Sequence, residues 1–323
     1  MRSTDNNNDV RSRVMKRVAS PGARSSRSKS SPQASPSLLR QLQRYAPVDY
    51  RRYLRFTVDD QHVGWVRRDF APHLADFPAT FVLNADEVTL HPALRSVDAR
   101  SDAMATALAE LRGRGLIPGW RGELYPVGRG FDQPCLMRME RAATPLFGVL
   151  SYSVNVNGLV RREDGLHDWI GRRAPHKQVD PNMLDLLAAG GQPLGISVAD
   201  NLVKECWEEA GVPAELARQA QPVSIITLQI EAAEGLRLGL QFNYDLFLPA
   251  DFQARNTDGE VAEFRLMPVQ EVMERLRTAD EFMYDIALVK IDLLIRHGLI
   301  GPDEPDYLAL LAGLRRPIAF DPI

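Results

Sequence analysis

One stretch constrains the fold more than any other: AAGGQPLGISVADNLVKECWEEAGVP, residues 188–213, crowds Glu205, Glu208 and Glu209 between a glycine-rich turn and a glycine stop. Ser197 followed three residues later by Asp200 has the form of a capping box, in which the hydroxyl accepts an orphan N–H of the first turn, so a helix is expected to start there. Ala199, Leu202, Val203, Cys206 and Ala210 then fall on one apolar face, and at about 100° per residue the three glutamates share another. Like charges four residues apart destabilise an isolated helix by roughly a few tenths of a kcal/mol, so such a face favours a counterion. Oxygen-only donors select a hard cation, Mg²⁺ or Mn²⁺, over zinc, and such ions suit diphosphate chemistry because they neutralise phosphate oxygens. The competing reading is an ordinary solvated acidic face.

The flanks favour the ligand site. Gly190, Gly191 and Gly195 make a loop whose backbone can approach a ligand closely, and Gly211 stands where a helix takes a left-handed last residue. Loop, cap, carboxylate face and stop together resemble the Nudix box, G-x(5)-E-x(7)-R-E-U-x-E-E-x-G-U, with U a bulky aliphatic residue. Gly190 fills the first glycine, Glu205 the Glu of R-E, Glu208 and Glu209 the E-E pair, and Gly211 and Val212 the final G-U, without a gap. Ile196 stands in place of the first Glu, Lys204 in place of Arg, and Cys206 in place of a larger aliphatic residue.

The likeness is wider than the box. WIGRRAPHKQVDPNMLDLLAAGG and KECWEEAG resemble the Nudix domain of the thiamine-pyrophosphokinase-associated branch, and GWRGELYPV and MERAATPLFGVLSYSVNVNG resemble that branch's preceding domain, together spanning about residues 40–318. The resemblance implies an α/β/α Nudix sandwich preceded by a smaller α+β domain, with Glu205, Glu208 and Glu209 as metal ligands. It also implies Glu260, in DGEVAEF, as a further carboxylate, with either Glu205 or Glu260 as the general base. The implied substrate is a small-molecule diphosphate, thiamine diphosphate or its oxidised oxo or oxy analogue, cleaved to the monophosphate. A pocket offering the ring no carboxylate would favour the neutral oxidised form, because an unpaired buried cation is costly. Ile196 opens a second reading, a Nudix-fold binding or sensor module for a phosphorylated metabolite, and hydrolysis of ADP-ribose or NADH is a third.

The rest of the chain fits an α/β protein of 323 residues, 45% of them hydrophobic. Residues 1–40 hold nine Lys/Arg against two Asp/Glu, a local +7 in a chain of net charge −3. Being rich in Ser, Arg and Pro, this tail buries too little to offset its ordering entropy, so residues 1–39 are expected to be disordered, either as a solvated extension or as an organellar transit peptide. An N-terminal α+β domain is expected over 40–148, opening with a short amphipathic helix in LLRQLQRYAPV and a hairpin turning at Asp59-Asp60. The Nudix domain follows over 149–323, its first strand expected to turn at Asn157-Gly158. No apolar run approaches the ~20 residues needed to span a bilayer, and two cysteines make no disulfide framework. A cytoplasmic monomer or homodimer is expected, with no membrane or nucleic-acid partner.

Arg172, Arg173 and Lys177 precede the box where cations hold a diphosphate, although a solvated basic turn has the same composition. Trp120, Trp169, Tyr152 and Phe242 read as core aromatics, His297 as a helix C-terminal residue, and Cys206 as a small core residue.

Overall fold

The computed structural model describes residues 37–177, 179–318 and 320. The expectation of a disordered tail therefore lies, for residues 1–36, outside the described residues. Leu38 is already buried, and the single helical turn α1 (Leu39–Leu42) packs against the C-terminal helices.

The next elements share one core. Strands β1 (Tyr53–Val58) and β2 (Gln61–Arg67) form the expected hairpin. Asp59 and Asp60 both take positive φ, 54° and 59°, as a two-residue turn matched to strand twist requires. Strands β3 (Phe81–Leu83) and β4 (Glu87–Leu90) complete a sheet of order β2-β1-β4-β3, β4 running parallel to β1. Helix α2 (Val97–Gly113), capped by the Ser96 hydroxyl, turns Met104, Leu108 and Leu111 onto Phe56, Val66 and Phe147. A small ribbon, β5 (Leu124–Val127) with β6 (Met137–Glu140), and the turn α3 (Thr144–Phe147) lead into the second sheet.

That sheet uses β7 (Leu150–Arg162), β8 (Gly165–Arg173), β9 (Leu184–Asp185) and β10 (Ala188–Gly191). Helices α4 (Val198–Ala210) and α5 (Ala214–Ala217) intervene before β11 (Gln221–Ala232), β12 (Gly235–Phe247) and β13 (Val261–Pro268). Helices α6 (Val269–Thr278), α7 (Tyr284–Arg296) and α8 (Tyr307–Gly313) close the chain. The strand order is β11-β12-β7-β8-β13, with β10 on β7, β9 on β8, and β12 parallel to β7.

Alternation along β8 sets the layers. Trp169 packs with Leu202, Cys206 and Ala210 of α4, while the adjacent Ile170 packs with Val272 of α6 and Ile286 of α7. Helices on both faces of a mixed sheet make an α/β/α sandwich.

The expected turn at Asn157-Gly158 does not form. Strand β7 runs through both residues and turns only after Arg162. Asn157 is spent inside the protein, its amide donating to Asp245 and its carbonyl accepting from Lys290. Gly158 is glycine for clearance, since a Cβ there would lie 2.7 Å from Leu187 Cδ2.

Candidate active site

Helix α4 starts and stops as its sequence dictates. The Ser197 hydroxyl accepts from Asp200 N and donates to the Asp200 carboxylate. Gly211 ends the helix at φ 63°, its N–H on the Trp207 carbonyl. The inward face differs from the expected one. Ala199 is exposed, while Asn201 and Glu209 are buried. Both inward polar groups reach the glycine strand: Asn201 Nδ2 donates to Gly191 O at 2.9 Å, and Glu209 Oε2 accepts from Ala189 N at 2.8 Å.

The three box glutamates thus occupy different environments. Glu209 lines a cleft of about 520 Å³. Burial, then the neighbouring charge of Asp185, pushes its carboxyl well above the ordinary range, against the opposing Ala189 N–H, and Glu205 and Glu260 add to the rise. Glu205 lies over Gly190 so closely that a Cβ there would sit 2.1 Å from Glu205 Cδ, and burial raises this carboxyl too, against the pull of Lys204. Glu208 is turned to Lys204 Nζ at 2.7 Å, which also meets Glu205 at 3.1 Å. Cys206 is buried with its thiol pushed up to about 12 by desolvation, which makes it a core residue and not a nucleophile.

Glu260 is brought to the same cleft by its loop. The last carbonyls of α4 are satisfied by that loop: Arg255 N donates to Ala210 O at 3.0 Å, and Thr257 Oγ1 to Glu208 O at 2.7 Å. This fixes the loop to the end of the box helix. Glu260 faces Lys177 at 2.5 Å, and although burial works the other way, that contact holds its carboxyl below the ordinary range.

Of the three cations read from sequence, Arg173 and Lys177 line the cleft with Gly190 and Gly191. Both are committed, Arg173 to Asp185 at 2.9 Å and Lys177 to Glu260. Arg172 points elsewhere, as strand alternation requires, pairing with Glu263 at 2.8 Å and the Asn182 carbonyl.

Several cleft residues were not anticipated. Arg121, Tyr125 and Arg141 come from the ribbon before the second sheet, and Asp285 from the first turn of α7. Asp285 meets no cation among the described residues, accepts only from Ile286 N at 3.1 Å, and is pushed up to about 6 by burial and by Asp185. The strand-like GELYPV was the one signal for Tyr125; nothing local marked Asp285. Of the aromatics, Trp169 and Tyr152 are buried as read, Tyr152 lining the cleft. His297 caps α7 and meets Asp245 at 3.0 Å.

The donor chemistry fits a hard divalent cation. Glu205, Glu209 and Glu260 offer only oxygen, and Glu205 and Glu260 both add to the rise of the Glu209 carboxyl, a crowding of charge that a cation among them would relieve. Among the described residues, no three Asp, Glu, His or Cys side chains are drawn together as a finished cage. Lys204 and Lys177 hold the carboxylates that such an ion would claim.

An acidic helix over a glycine strand, at a cleft in an α/β/α sandwich, is the equipment of a hydrolase of phosphoanhydrides. Residues 37–151 match a family described as a domain of unknown function, DUF4743. Nudix hydrolase 24, chloroplastic, of Arabidopsis thaliana is 42% identical over 265 residues, covering 81% of this chain and 73% of that protein. Nudix hydrolase 20, chloroplastic, of the same plant is 39% identical over 272 residues, with the same coverage of each chain. Among solved structures, the Nudix domain of Shewanella oneidensis NrtR, complexed with ADP ribose, is 12% identical, covering 48% of this chain and 91% of that one, with a TM-score of 0.37. The chain belongs to the Nudix hydrolase family and is a pyrophosphohydrolase acting on diphosphate linkages. Members of the family generally use divalent metal ions such as Mg²⁺. No helix among the described residues is long and apolar enough to cross a membrane.

Proposed function

We propose that the chain cleaves the diphosphate of a heterocyclic substrate, thiamine diphosphate or an oxidised analogue of it, to the monophosphate. The observation that carries the diphosphate is the cleft itself, where Glu209 and Glu260 face Arg121, Arg141, Arg173 and Lys177. Glu205, Glu208 and Glu209 are the residues that would hold Mg²⁺ or Mn²⁺, Glu208 after release from Lys204. The ion supplies charge neutralisation on the diphosphate when bound. Glu260 takes the proton of the attacking water: of the two carboxylates offered as base it is the one lining the cleft, and geometry ranks before basicity in that choice. Two compact parts are proposed, 40–148 supplying one wall and 149–323 the carboxylates, in a cytoplasmic protein.

The ring is read from Asp285. A pocket offering the ring no carboxylate was the expectation that favoured a neutral oxidised form, and Asp285 removes its basis, because a carboxylate that makes no ion pair among the described residues favours a ring bearing N–H donors or positive charge. Thiamine diphosphate offers both, whereas its oxo analogue keeps the aminopyrimidine donors without the ring charge and its oxy analogue keeps the ring charge without the amino group. The test compares kcat/KM for thiamine diphosphate, its oxo and oxy analogues, ADP-ribose and NADH under identical Mg²⁺. A tenfold lead for either adenine-containing substrate refutes the thiamine assignment and leaves the general diphosphate hydrolase.

A further inference from the structure

The cations of the cleft are unequally available. Arg173 is neutralised by Asp185 and Lys177 by Glu260, so neither can meet a phosphate without abandoning a carboxylate. Arg237, which also lines the cleft, is held by Glu234. Arg121, in contrast, makes no ion pair among the described residues. Arg141 gives one of its five N–H donors to the half-exposed Glu123, at 3.0 Å.

Both belong to a wall built to face the glycine strand. Glu140, buried on β6, accepts from the backbone of Arg121 at 2.9 Å and of Gly122 at 3.0 Å, fixing that turn. The wall is tied to the loop before the box helix by Leu194 N on Leu124 O, at 3.0 Å. Tyr125 stands so close to Gly191 that a Cβ there would fall 1.7 Å from the phenol oxygen and 3.3 Å from Arg141 Cζ. The Arg141 guanidinium lies over the Tyr125 ring, 5.7 Å from its centre. The Tyr125 hydroxyl is buried and has no hydrogen-bond partner among the described residues. A buried hydroxyl left unpaired carries a desolvation cost, which an acceptor brought by a ligand recovers.

We propose that this wall, within the segment whose family has no assigned function, is the phosphate clamp of the active site: Arg121, Arg141 and the Tyr125 hydroxyl bind the substrate's diphosphate across the cleft from the box helix. The assignment rests on the diphosphate-hydrolase reading of the cleft. It gives the upstream segment a role in binding, because the second sheet's own cations are already paired. A planar guanidinium suits two phosphate oxygens at once, and a phenol donor adds a third bond.

The experiment uses the full chain and its Tyr125→Phe, Arg141→Ala and Arg121→Ala variants. Calorimetric titration with methylenediphosphonate and Mg²⁺ reads binding without turnover, and kcat/KM for thiamine diphosphate and ADP-ribose reads catalysis. Tyr125→Phe is the variant least able to disturb folding, since it deletes only an unpartnered oxygen. Each variant is expected to weaken methylenediphosphonate at least about tenfold, 1.4 kcal/mol, while the melting temperature of Tyr125→Phe stays at or above the wild-type value. Affinities within twofold of wild type for Tyr125→Phe and Arg141→Ala overturn the clamp. If the wild type hydrolyses no diphosphate yet binds methylenediphosphonate and loses it in these variants, the clamp stands and the hydrolase assignment falls. If the wild type turns over and the variants match it, the clamp alone falls.

Discussion

Glu209 shows what a single residue contributes here, because its carboxylate lines the cleft and is anchored by the Ala189 amide. Glu209→Gln keeps an oxygen for that amide and removes a charge crowded by Asp185, Glu205 and Glu260. Turnover is expected to fall roughly 100-fold, about 2.7 kcal/mol of transition-state stabilisation, with a melting temperature no lower than wild type. Unchanged kcat/KM would remove Glu209 from the metal site. Asp285 gives the pH-dependent case. Its folded carboxyl sits at about 6, above the ordinary value of 3.8, so between those two pH values the folded chain binds a proton that the unfolded chain has released. Stability therefore falls as pH rises through that window and is level above it. Asp285→Asn lacks the loss: its gain in stability should grow between pH 4 and 6 to about 2 kcal/mol and stay constant to pH 8. Thermal scans at pH 4, 6 and 8 check this, and an equal difference at all three would refute it.

At the scale of elements, α4 and its glycine strand work as one unit. Gly190→Ala places a methyl where the Glu205 carboxyl lies, 2.1 Å from Cδ, so Glu205 must swing away. Activity should drop at least about tenfold, 1.4 kcal/mol, in a chain that still melts cooperatively; wild-type kcat with normal metal dependence would show that Glu205 has no fixed place. The unit was legible because its determinants are local. Ser197 and Gly211 bound the helix within a few residues of the charges they frame, and the i, i+3, i+4 spacing of the glutamates is fixed by the helix itself. The inward turn of Glu209 was not legible, because it depends on the Ala189 amide of another strand. The Asn157-Gly158 turn failed for the same kind of reason. Asn-Gly favours a hairpin, but here Asp245 and Lys290 take the Asn side chain and Leu187 takes the space over the glycine, contacts remote in sequence. Tyr125 and Arg141 reach Gly191 across 66 and 50 residues of chain, and no periodicity encodes that approach.

Across the whole molecule, distant segments close the layer of the sandwich made by α6, α7 and α8. Gln41 on α1 donates to the Leu276 and Ala279 carbonyls at the end of α6, at 2.7 and 2.9 Å, and Leu42 fills the space over Gly313. Leu42→Ala should therefore cost about 2–5 kcal/mol in chemical denaturation, although Leu42 lies far in sequence from the helices it supports; a cost under about 1 kcal/mol would mean that α1 is not docked in solution. The deepest tie is Lys290 on α7, wholly buried with Asp168 of β8, its ammonium also donating to Asn157 Oδ1 at 3.0 Å. Burial raises the Asp168 carboxyl and Lys290 opposes that rise, so the pair is held together by mutual need and not by surplus attraction. Lys290→Met removes the opposing charge. Asp168 must then stay protonated in the folded chain at pH values where the unfolded chain releases its proton, so the variant loses stability as pH rises above about 4. At neutral pH the loss should reach about 3–5 kcal/mol, and adding Asp168→Asn should restore part of it by leaving no charge behind. Urea titrations of both variants at pH 5 and 8 decide the matter: a Lys290→Met deficit of equal size at both, unrelieved by the second substitution, would mean that the two side chains are not paired.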